Sequence, residues 1–111
     1  MNNAAPEYVM VYVTTGTRAE AEAIAEALVR DRLVACVNVL GEATSVYRWQ
    51  GAIEESSEVV LVAKTRRPLF EKLAAEVKRL HSYDVPCIVA YPMADADAAY
   101  MAWIKSEASG P

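Results

Sequence analysis

Residues 81–89, HSYDVPCIV, carry the chain's one histidine and one of its two cysteines, six positions apart. Imidazole nitrogen and thiolate sulfur are both transition-metal ligands, and a soft thiolate suits copper or zinc. The second cysteine, Cys36, stands in the apolar run VACVNV and is a further soft donor. Each of these residues also has an ordinary structural reading. Free cysteine packs as a small hydrophobe. A histidine that ends a helix can cap a carbonyl or meet the negative end of the helix dipole. On that reading the segment only joins a helix to a strand.

Other chemistries lack their parts. Neither G-x-G-x-x-G nor a P-loop is present, and the chain has only four glycines. A zinc finger needs four ligands at short spacing. A serine or cysteine hydrolase would have to use His81 as its base, and neither cysteine has an obvious pairing with it.

The elements that must position these residues follow from periodicity. Residues 8–14, YVMVYVT, read as a strand. Thr17 is a candidate N-cap with Glu20 three residues on, a capping box. Ile24, Ala25, Leu28 and Val29 continue at helical spacing, and the helix should fade at residues 31–33. Residues 34–49 form a long strand region interrupted at Gly41-Glu42, where a bulge would let it run on to Trp49. Gln50-Gly51 is a hairpin tip. Residues 58–64, EVVLVAK, return as a strand. Pro68 opens a second helix with its apolar stripe on Leu69, Leu73, Val77 and Leu80. Residues 87–91 are a short strand, and a last helix is expected over 94–107 with aspartates at its start. The order is βαββαβ plus a C-terminal helix, an α+β ferredoxin-like sandwich in one domain of 111 residues. Residues 1–6 read as a loose terminus.

Such a sheet carries its crossover helices on one face, and the other face would ordinarily alternate to polar residues. These strands do not alternate. Val9, Val11 and Val13 point one way, and Tyr8, Met10 and Tyr12 point the other; Val59, Leu61 and Ala63 oppose Val60 and Val62. The third helix can cover part of the second face, and further copies of the chain are expected to cover the rest. The long arm over residues 38–62 also calls for a partner, so a homo-oligomer is expected.

ACVNV at 35–39, SVYRWQGAIE at 45–54, Lys64-Thr65, H-x-Y-x-V-P at 81–86, and Tyr100 with Trp103 together resemble the CutA family of divalent-cation tolerance proteins, over residues 8–104. The resemblance implies a ferredoxin-like protomer in a homotrimer, related in architecture to PII signalling proteins, with the β2–β3 hairpin extended against a neighbour. It implies copper(II) or another divalent cation as ligand, no organic cofactor and no catalytic activity. It raises His81 as a metal residue beside Cys36 and Cys87, and Tyr47, Trp49, Lys64, Tyr83 and Trp103 as candidates for an intersubunit pocket. Tyr47 and Trp49 also have a packing reading, as aromatic anchors of the arm, and Lys64 can snorkel from its strand end or pair with Glu58 or an anionic ligand. Cys87 and Ser82 depart from the family's usual glutamate and proline, which either softens a site there or alters the pocket. In this topology Cys36 and Cys87 lie at opposite sheet edges, too far apart for a disulfide, so any shared site lies between subunits.

Other function classes stay open beside cation binding. One is a PII-like trimeric sensor for a small anionic ligand, with Lys64, Arg48 and the Thr14–Thr17 loop as contacts. The other is a structural trimer that serves partner proteins as a platform. The formal net charge of -4 gives no electrostatic reason to expect nucleic acid or an anionic membrane. No apolar run approaches the roughly 20 residues of a spanning helix, and the first residues lack a signal-peptide pattern. Two cysteines are too few for a disulfide framework, so a reducing cytoplasm is the expected setting.

Overall fold

The computed structural model describes residues 7–111. The expected loose terminus at 1–6 lies outside the described residues. The elements are β1 (Tyr8–Thr15), α1 (Arg18–Arg30), β2 (Cys36–Trp49), β3 (Ala52–Arg66), a 3-10 turn (Arg67–Leu69) leading into α2 (Phe70–Leu80), β4 (Ile88–Pro92) and α3 (Ala98–Glu107). The four strands form one antiparallel sheet in the order β2-β3-β1-β4. The order βαββαβ plus a last helix is therefore as expected, and Cys36 and Cys87 belong to opposite edges.

Local chemistry explains the boundaries. Thr17 caps α1 by accepting from the Glu20 N–H at 3.1 Å. The Glu20 carboxylate turns back to the Gly16 N–H at 3.1 Å, one residue before the position a capping box uses. At the other end Arg32 takes φ 57°, and the Leu33 N–H reaches the Leu28 carbonyl at 3.0 Å. That pairing satisfies a carbonyl the helix leaves open. β3 begins at Ala52, six residues earlier than the expected Glu58, because the arm keeps its ladder to the tip. The last helix begins at Ala98 and not at residue 94. Asp97 accepts from the Tyr100 N–H at 3.1 Å and takes the cap.

The core lies between one sheet face and α1 and α2. Val9, Val11, Val13, Leu61 and Ala63 pack against Ile24, Leu28, Leu73 and Val77. Each of the valine, leucine and isoleucine side chains contributes roughly 1.5–3 kcal/mol when removed from water. A smaller cluster of Leu69, Ala35, Ile104 and Ala108 holds α3 at one end, where the Arg66 guanidinium donates to the Ala108 carbonyl at 2.9 Å. Ile104 is the buried residue of α3. The second sheet face stays open: Met10, Leu40, Val89 and Tyr91 are all exposed, Tyr91 to 55%. Among the described residues no helix is long and apolar enough to cross a membrane.

Candidate functional site

The arm owes its facing to one unpaired residue. Leu40 pairs with Val60 and Glu42 pairs with Val59, so Gly41 is skipped in the ladder. A slip of one residue exchanges the two faces of a strand. Before the bulge, Cys36, Asn38 and Leu40 share the open face. Beyond it Ser45, Tyr47 and Trp49 take that face, opposite Ser56, Glu54 and Ala52. The Tyr47 and Ser56 hydroxyls meet at 3.3 Å. Gln50 and Gly51 close the tip with φ of 48° and 85°, the double positive φ of a type I′ turn.

The connector between α2 and β4 is tied down at three points. His81 Nε2 donates to the Thr14 carbonyl at 2.7 Å, while its Nδ1 accepts from the Tyr83 N–H at 3.1 Å. The ring is thus the neutral Nε2–H tautomer, with both nitrogens engaged. The Glu20 carboxylate accepts from the Ser82 N–H at 2.8 Å through the oxygen that Gly16 leaves free. Burial pushes that carboxyl up, but the hydrogen bonds from Ser82 and Gly16 outweigh it and hold the pKa below its ordinary range. The Tyr83 hydroxyl donates to Glu58 Oε2 at 2.9 Å. Burial first, then the Glu58 carboxylate, pushes the Tyr83 phenol up to about 12.

Arm and connector together wall a groove of about 660 Å³ on the open face. Tyr12, Tyr47, Trp49 and Tyr83 supply rings, and Glu58 and Asp84 supply acidic groups. Cys87 lies in the same wall as a free thiol; burial and then Glu58 push its pKa up, so it stays protonated near neutrality. A smaller cavity behind Glu58 opens against Thr17 and Arg18 at the start of α1.

The residues expected to share an intersubunit pocket therefore fall into two groups within one chain. Tyr47, Trp49 and Tyr83 line the groove with Cys87, while His81 supports its connector. Lys64 and Trp103 lie elsewhere. The Lys64 ammonium donates to the Asn38 amide oxygen, not to Glu58, which Tyr83 holds. Lys64 also pairs in register with Cys36, whose sulfur lies 3.6 Å from the Tyr100 hydroxyl. Trp103 stacks on Tyr100 with ring centroids 5.6 Å apart.

The donors of a single chain do not close a metal site. Among the described residues no group of three His, Cys, Asp or Glu side chains stands together. Cys36 is across the sheet from Cys87, and both nitrogens of His81 are already engaged. Sequence reasoning missed Glu58 as a groove residue and Glu20 as a tether of the connector. The one signal for Glu58 was an acid opening an apolar strand; the reach of Glu20 to Ser82 has no local signature.

Comparison with known proteins decides the family. Residues 9–107 match the family model described as CutA1 divalent ion tolerance protein. The chain belongs to the CutA family of divalent ion tolerance proteins. It is 45% identical over 96 residues to the divalent-cation tolerance protein CutA of Thermus thermophilus, covering 86% of this chain and 93% of that one. A solved structure of the Thermus thermophilus protein superposes with a TM-score of 0.88 at 43% identity, covering 90% of this chain and 97% of that chain. The periplasmic divalent cation tolerance protein CutA from Archaeoglobus fulgidus superposes with a TM-score of 0.89 at 36% identity, covering 91% and 98%. This CutA family member thus shares an α+β fold, with an antiparallel four-stranded sheet, across nearly the whole of those chains.

Proposed function

We propose that the chain is a non-enzymatic, homotrimeric divalent-cation-binding protein of the CutA type, with a ferredoxin-like protomer and copper(II) or another divalent ion as its cargo. The observation that carries the reading is the bare second face of the sheet. Met10, Tyr12, Val62, Val89 and Tyr91 lie side by side in register there, and the arm adds Tyr47 and Trp49 at 43% and 44% exposure. Apolar surface of this extent marks an interaction face, and identical copies are the occupant proposed. A ring of copies would also bring the edge that holds Cys36 toward a neighbour's edge with His81 and Cys87. Donors that one chain keeps apart would then meet, with the His81 ring released from Tyr83. Both thiols are free, as a reducing cytoplasm would keep them, and that is the proposed setting.

Native mass and copper titration test this reading together. Three protomers are expected, with saturable copper(II) binding that Cys36→Ser, His81→Ala and Cys87→Ser each weaken while the mass is kept. A stable single subunit would remove the assembly, and binding untouched by all three changes would remove the site.

The groove favours a second reading, a trimeric small-molecule sensor. Its sign differs from the anionic version. Lys64 is held at Asn38, and neither it nor Arg48 is among the groove-lining residues.

A further inference from the structure

Two surfaces of this chain have no occupant within it, and each supplies what the other lacks. The first is the groove between arm and connector. Four aromatic rings and the carboxylates of Glu58 and Asp84 line it, and none of its lining residues is Lys or Arg. Glu58 is exposed to only 8%; Tyr83 donates to one of its oxygens, and among the described residues no cation pairs with it or with Asp84. A buried carboxylate without a cationic partner is costly, so the groove is incomplete as one chain forms it. The second surface is the back of the arm. Beyond the bulge, alternation turns Thr44, Val46 and Arg48 away from the open face, with Ile53 directly opposite Arg48 in the ladder. Val46 and Ile53 are the most exposed large apolar side chains of the four strands, at 64% and 70%. Arg48 is exposed beside both. Glu55 stands opposite Val46 on the same side, yet among the described residues Arg48 forms no ion pair with it or with any other acid.

The two surfaces lie on opposite faces of one sheet, so a chain cannot join its own pair. Identical copies set head to tail can, and a contact of that heterologous kind closes into a ring when the rotation allows. We propose that the back of one copy's arm seats in the groove of the next, where its Arg48 supplies the cation that Glu58 and Asp84 lack. The proposal rests on the homotrimeric reading and names the faces and the charge through which the copies meet. Arginine suits the seat better than lysine would. Its flat guanidinium can lie against Tyr and Trp rings and still donate in a fork to a carboxylate. Val46 and Ile53 then cover aromatic surface beside it, an apolar centre of the kind that protein interfaces share. The place in the fold agrees. The arm projects from the β2 edge, and the connector leads into β4 at the opposite edge, so a ring that joins unlike edges brings them together. An arm seated there also occupies the space that a small-molecule guest would need.

Native mass spectrometry of the full chain over a dilution series tests the proposal, read as the concentration at which half the protomers remain assembled. Arg48→Glu should raise that concentration at least about tenfold, and Asp84→Lys should do the same, the effect of turning one interfacial attraction into repulsion. The double variant, Arg48→Glu with Asp84→Lys, should recover most of the loss, because the exchanged charges attract again. Ile53→Ser should weaken assembly about three- to tenfold through lost apolar cover. Glu55→Gln removes the acid beside Arg48 in its own arm, and Lys72→Glu reverses a charge on α2; both should leave the midpoint unchanged. All of these positions are exposed, so the variants keep the fold. An Arg48→Glu protein that assembles like the parent overturns the proposal, and so does a charge exchange that recovers nothing. In either case a parent that still runs as three protomers keeps the trimeric reading, whereas a parent that stays a single subunit removes both.

Discussion

His81 Nε2 stands 2.7 Å from the Thr14 carbonyl oxygen, joining the connector before β4 to the end of β1. The same ring accepts from the Tyr83 N–H, so one side chain fixes two backbone points. His81→Ala should lower stability by about 1–2 kcal/mol, the worth of one or two such bonds. His81→Gln keeps a donor of similar reach and should recover part of the loss. Urea midpoints of the three proteins check this.

Glu20 fastens the same connector from α1, through the N–H groups of Gly16 and Ser82. Its carboxyl is held below the ordinary range, so its contribution is full above the unfolded pKa and is lost as pH falls through the folded one. Glu20→Gln should cost about 1 kcal/mol at neutral pH, and the gap to the parent should close in acid. Paired melting curves across the acid range give the comparison.

Tyr83 has the opposite sign. Its phenol is raised from 10.0 to about 12, so the stability it lends is complete below the unfolded value and disappears as pH climbs through the folded one. An absorbance titration should show a tyrosine component near pH 12 that is missing in Tyr83→Phe. At neutral pH that variant takes the donor from a buried carboxylate and should cost about 1–3 kcal/mol.

Two non-glycine residues hold positive φ among the described residues, Arg32 after α1 and Gln50 at the arm tip. Arg32→Gly and Gln50→Asn relieve that strain and should each add about 0.5–1 kcal/mol. A rise in Tm with unchanged native mass is the expected result.

Much of this architecture could be read from residue order. The interruption at Gly41-Glu42, the Gln50-Gly51 tip and the Thr17 cap are local signals, and each forms where its chemistry sits. The unalternating strands likewise foretold an open apolar face, because side-chain period alone assigns a residue to a face. The site was less legible because its contacts span the chain. Tyr83 and Glu58 are 25 residues apart, and Ser82 and Glu20 are 62 apart. No local pattern couples such pairs. Lys64 and Trp103 were grouped with Tyr83 by family likeness, whereas strand order places them by Cys36 and α3. The start of α3 was misjudged for a different reason. Asp95 and Asp97 both suit a helix entrance, and only the hydrogen bond to Tyr100 picks between them.

The skipped position at Gly41 also constrains how the gene can change in length. Leu40 and Glu42 already pair with the consecutive residues Val60 and Val59, so removing that one codon would leave a regular ladder with Tyr47 and Trp49 still on the open face. Lengthening or trimming the arm is harmless to its facing only in matched pairs, one residue on each strand beyond the bulge. Substitutions there are graded in effect, whereas losing a paired residue of the arm inverts everything from there to the tip unless Gly41 enters the ladder in its place.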